Sequence, residues 1–167
     1  MTRRWPTRSR LTALLAVLVV PLSACGDLSA MNFRNDHRLT FTAPQNRASV
    51  TFPMDVTWTM DDLGLGGGET FGIFVDRTPM RPGESVESIA DGDRQCALDA
   101  ACPDEDYLAR RGVHVRASSS FVVDGLPQIT SIKPDDLHTI VIVILDAQGR
   151  RVGESGWRRE FRVEDAT

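Results

Sequence analysis

Polar and apolar positions alternate without a fault over Met54-Asp55-Val56-Thr57-Trp58-Thr59-Met60, so an extended chain places Met54, Val56, Trp58 and Met60 on one face and the polar residues on the other. The same period of two recurs at Phe71, Ile73 and Val75, at Val113 and Val115 around His114, and at Trp157, Phe161 and Val163 opposite Arg158, Glu160 and Arg162. Arg159 falls on the Trp157 face, which calls for a side chain that snorkels past the ring or for a bulge that shifts the register. Thr139 to Leu145 is apolar on both faces, as a central strand covered on each side or packed beneath a loop requires. Asp146-Ala147-Gln148-Gly149-Arg150 supplies the turn of a hairpin into the last strand. With Leu39 to Thr42 and Phe121 to Asp124 the pattern gives about seven strands, an all-β chain folded as a two-sheet antiparallel sandwich.

One stretch does not fit a minimal sandwich. Residues 77–111 form an insertion between two strands, and Pro103 to Gly112 has proline and acids first, arginines last and a glycine stop, the order of one short helix. Tyr107 and Leu108 are its main candidates for docking on the sheets, so residues 84–99 are expected to be replaceable by a Gly/Ser linker at little cost beyond a lost disulfide.

The N-terminus carries Arg3, Arg4, Arg8 and Arg10 ahead of the apolar run Leu11 to Val20, the layout of a secretory signal, and fourteen residues from Leu11 to Ala24 are too few to span a bilayer. Leu22-Ser23-Ala24-Cys25 resembles the bacterial lipobox at all four positions. The resemblance implies a lipoprotein signal peptide over 1–24, cleavage before Cys25, diacylglycerol on its thiol, and a protein held by lipid on the extracytoplasmic face of the cell membrane. Arg3-Arg4 also resembles a twin-arginine signal, but Trp5-Pro6-Thr7 lacks the apolar residues that follow such a pair. Residues 25–37 have no period and read as a lipidated tether, and 38–165 as the folded domain.

Loss of residues 1–24 removes four arginines and no acid, leaving 15 basic residues against 23 acidic ones, a formal charge of −8. The sole lysine is Lys133. Neither a nucleic acid nor a polybasic membrane patch suits such a surface. Export, with only five residues between Cys96 and Cys102, predicts a disulfide joining them. Zinc held by these thiolates with His114 or His138 is disfavoured, because the spacing exceeds the usual two to four residues and a second close-spaced ligand pair is missing. The acids Glu84, Glu87, Asp91, Asp93, Asp99, Asp104, Glu105 and Asp106 match no EF-hand spacing and read as a solvated face, so no metal or other cofactor is expected.

Ala43-Pro44-Gln45-Asn46-Arg47-Ala48-Ser49-Val50, then Pro53 and Val56-Thr57-Trp58, resembles the opening of bacterial immunoglobulin-like and fibronectin type III-like modules. Val123-Asp124-Gly125-Leu126 ahead of His138 to Val143 is similar to their second half, with His138 in place of the usual strand tyrosine. The resemblance implies an immunoglobulin-like sandwich with an adhesive or scaffolding role.

Catalytic patterns fail in turn. Gly153-Glu154-Ser155-Gly156-Trp157 has tryptophan where a nucleophile elbow needs glycine, and Gly64-Leu65-Gly66-Gly67-Gly68 lacks the lysine and helix of a phosphate cradle. His114 is expected on an outward strand face, and no histidine is paired by the sequence with a serine, cysteine or carboxylate. The expected function is therefore non-catalytic: a lipoprotein whose insertion meets an envelope protein or cell-wall component through Asp91, Asp93, Asp99, Asp104 and Tyr107. The alternative is a small ligand or calcium bound by the acidic insertion.

Overall fold

The computed structural model describes residues 37–61, 68–127 and 136–164. Residues 1–24, expected to be a signal peptide, and all but the last residue of the expected tether 25–37, Cys25 included, lie outside them. The described chain is mostly strand: β1 (Leu39–Ala43), β2 (Ala48–Val50), β3 (Met54–Met60), β4 (Thr70–Val75), β5 (Val113–Arg116), β6 (Ser120–Val123), β7 (Leu137–Leu145) and β8 (Trp157–Val163), with one α-helix, α1 (Glu105–Arg110). Two sheets result, one in the order β1-β3-β6 and one in the order β2-β8-β7-β4-β5. Among the described residues no helix is long and apolar enough to cross a membrane.

The expectation of an antiparallel sandwich of about seven strands needs two corrections. Among the described residues there are eight strands, and the additional one, β2, runs parallel to β8, with Ala48, Ser49 and Val50 opposite Phe161, Arg162 and Val163. The cause lies at Pro44, which has no N–H to extend the β1 ladder. There the chain leaves the first sheet, turns through Gln45, Asn46 and Arg47, the last with φ 62°, and joins the edge of the second. The turn is clipped to β8 at three points: Arg47 N donates to Glu160 O (2.6 Å), Glu160 N to Asn46 Oδ1 (3.2 Å), and Arg47 Nε to Glu160 Oε2 (3.0 Å).

Between the sheets the period-two residues meet as expected. Phe41, Met54, Val56, Trp58 and Val123 of one sheet pack on Phe71, Ile73, Ile140, Ile142, Trp157 and Phe161 of the other, with Trp58 edge-on to Phe71 at 5.1 Å. Pairing of β7 with β8 runs without a shift from Leu137↔Arg162 to Ile142↔Trp157, so no bulge accommodates Arg159. Its guanidinium instead lies 5.1 Å from the Phe41 ring centroid at the margin of this core, the snorkelling alternative.

The far side of the five-stranded sheet carries a second core. Phe74, Val113, Val143 and Leu145 meet Met80, Cys96, Tyr107 and Leu108 of the insertion, with Val86, Ile89 and Ala90 packed against them. This explains why β7 is apolar on both faces. It also demands Gly72, where a Cβ would sit 3.0 Å from Phe74 and 3.1 Å from Val143. The insertion is tied down by backbone as well: Gly83 N donates to Arg151 O (2.9 Å), Arg151 N to Glu84 O (2.9 Å) and Val86 N to Gly149 O (3.1 Å). The expectation that residues 84–99 owe little to the core is therefore overturned.

Candidate functional site

Cys96 and Cys102 are joined by the expected disulfide, with Cα atoms 5.1 Å apart, so neither offers a thiolate to zinc. The ring they close is too small to have an interior, so Ala97, Leu98, Asp99, Ala100 and Ala101 all face solvent. Leu98 is 91% exposed, and Val122 at 47% is the other large hydrophobic on the surface of the described residues.

Asp93 holds this exposed loop, the crest 97–101, to the helix. Its Oδ1 accepts from Gln95 N (2.9 Å) and Cys96 N (3.3 Å), and its Oδ2 from the Tyr107 hydroxyl (2.9 Å) and Arg111 (2.8 Å). The Tyr107 hydroxyl, with Cys96 N next, holds the Asp93 carboxyl below the usual carboxylate value. Burial, then the bond to Asp93, raises the Tyr107 phenol. The Arg111 guanidinium lies 3.6 Å from the Tyr107 ring centroid, closing a three-residue knot. Asp104 is the N-cap of α1, accepting from Tyr107 N at 2.7 Å, and Gly112 ends the helix at φ 71°. The helix predicted from proline, acids, arginines and glycine is present.

Two depressions flank the disulfide. One of about 650 Å³ is lined by Glu87, Asp91, Asp93, Arg94 and by alanines 90, 97, 100 and 101. The other, about 270 Å³, brings together Asp93, Asp99, Asp104, Tyr107, Arg110 and Arg111. The candidate recognition residues thus gather around one feature, but their work is divided. Asp93, Asp104 and buried Tyr107 hold the insertion in shape, Asp99 accepts from Ala101 N (2.9 Å), and Asp91 is exposed at the rim. Among the described residues no three His, Cys, Asp or Glu side chains converge as a metal-ion set.

Leu98 and Arg111 are the residues that sequence reasoning missed. A signal for Leu98 existed: a leucine in the middle of a Cys-x5-Cys ring has nowhere to be buried. His138 does meet a carboxylate, Asp76 Oδ2, through Nδ1 at 2.6 Å, and Asp76 Oδ1 accepts from Thr139 N (2.9 Å). The pair fastens the end of β4 to the start of β7. His114 corrects its expectation: it faces the other sheet, 4.4 Å from the Phe121 ring, and burial, with Arg116 nearby, lowers its pKa to about 4. Compared with known proteins, the chain matches no family model, no curated protein and no solved structure.

Proposed function

We propose that this chain is a non-catalytic lipoprotein, anchored through Cys25 on the extracytoplasmic face of the cell membrane, whose immunoglobulin-like domain presents the crest 97–101 to an envelope protein or cell-wall component. The observation that carries the reading is Leu98: a leucine 91% exposed on a loop fixed by a disulfide and by the Asp93 knot. Such a side chain contributes nothing to the fold, while a loop ordered in advance loses little entropy on binding. The anchor rests on Leu22-Ser23-Ala24-Cys25.

The strand order supports the immunoglobulin-like reading. In that fold one sheet runs G-F-C with C′ beside C, and β8-β7-β4-β5 has the same order, with β1-β3-β6 in the places of A, B and E. The departures are a core tryptophan on β3 and a disulfide outside the sandwich. A calcium or small-ligand reading has less support, because Asp93, Asp99 and Asp104 already accept backbone N–H groups.

Crosslinking on intact cells followed by pull-down should recover one partner with the native protein and lose it with Leu98→Asp. Equal recovery by the variant, or none by the native chain, overturns the reading. Mass spectrometry of the mature N-terminus should find an acylated Cys25, and an unmodified Cys25 removes the anchor.

A further inference from the structure

The crest is apolar and its surroundings are anionic. Four of the five exposed residues inside the ring are Ala97, Leu98, Ala100 and Ala101. Residues 84–111 hold eight acids and three bases, Arg94, Arg110 and Arg111, a net −5. Two of those acids are paired, Asp93 with Arg111 and Glu105 with Arg116, both at 2.8 Å. Glu87 and Asp91 are exposed beside the crest, and Asp99 on it.

We propose that the crest docks into an apolar pocket on a protein whose rim carries lysine or arginine, with Leu98 filling the pocket and Glu87, Asp91 and Asp99 facing the rim. The proposal rests on the recognition reading above and names the chemistry of its partner. A membrane fits poorly as the occupant, because the anionic headgroups of a bilayer repel a segment of this charge. A buried aliphatic anchor sets residence time, whereas rim charges set encounter rate and orientation. The two contributions are therefore separable by experiment.

The full-length lipidated chain, in the membrane of the cell that makes it, would carry the photo-crosslinking amino acid p-benzoyl-phenylalanine at position 98, with position 122 as control. A single protein adduct is expected from 98 and not from 122, mapping to a partner segment that contains lysine or arginine. Its yield should fall about tenfold between roughly 0.05 and 0.5 M salt, and by a similar factor in a Glu87→Lys, Asp91→Lys variant whose thermal midpoint is unchanged. An adduct at 98 that withstands both salt and charge reversal leaves the recognition reading intact and overturns the cationic partner. A lipid adduct, or one between two copies of this chain, overturns it too. No adduct at 98 overturns the recognition reading itself and this proposal with it.

Discussion

Over β4 and β7 both faces of the five-stranded sheet are buried, by different means. Its inner face meets another sheet, so both partners are written in period two. Its outer face meets an irregular connection, whose contributions from Met80, Val86, Ile89, Cys96, Tyr107 and Leu108 follow no period because a loop packs by its own shape. The apolar run on both faces of β7 therefore reveals that each face is covered without revealing by what. The boundary between buried scaffold and exposed loop falls elsewhere than the sequence leads one to expect. It does not separate the sandwich from the insertion; it runs through the insertion, between a buried foot and an exposed crest.

The strongest way to break that comparison is to cut one large side chain from each core. Trp58→Ala and Phe74→Ala should each cost about 3 to 5 kcal/mol, read from denaturant unfolding with unchanged m-values. A loss under about 1 kcal/mol for Phe74→Ala would show that the outer cluster is a mere cover. Next in size is the replacement of residues 84–99 by a Gly/Ser linker. It removes the disulfide, worth roughly 2 kcal/mol for so small a ring, and also Val86, Ile89 and Cys96 from the outer core. The total should reach about 4 kcal/mol, and a linker variant no less stable than Cys96→Ser, Cys102→Ser would deny the foot any role.

Much of this was legible in the chain. β3, β8, the hairpin turn and α1 follow from alternation, glycine and charge order, β7 from its apolar residues on both faces, and the disulfide from the spacing of Cys96 and Cys102 behind an N-terminus that resembles a secretory signal. β2 was not, because three residues carry no period and parallel pairing with β8 has no local code. The Asp93 knot was hidden for another reason. One acid among eight is singled out only when folding brings Tyr107 and Arg111 to it across 14 and 18 residues.

Acid separates the two regions by a smaller effect. His114, on the inner side, has a folded-state pKa of about 4 against 6.5 when unfolded, so the unfolded chain takes up the proton first. Stability is full above pH 6.5 and falls as the pH drops toward 4, with a slope below about 1.4 kcal/mol per pH unit and less for partial exposure. The difference between the native protein and His114→Leu isolates this group, and parallel pH profiles for the two would refute the assignment. Asp93 titrates lower. Its depressed value means that its contribution is present above the ordinary carboxylate range and is lost as the pH falls through the folded value. Hydrogen exchange should then loosen at residues 93–107 before β7 does, and Asp93→Asn should show the same loosening at neutral pH. Simultaneous loosening of β7 would mean that the knot is part of the global fold.

The smallest expected effect sharpens the comparison most. Leu98 and Leu108 lie ten positions apart in the same insertion, one 91% exposed on the crest and the other 7% exposed in the foot. A side chain already in water has little transfer free energy to lose, so Leu98→Ser should stay within about 0.5 kcal/mol of the native protein. Leu108→Ala empties a filled site and should cost about 2 to 5 kcal/mol. Thermal and denaturant unfolding of the two variants, side by side, measures the boundary directly. If Leu98→Ser costs more than about 1 kcal/mol, the crest is packed against something within the chain, and the recognition reading loses the observation that carries it.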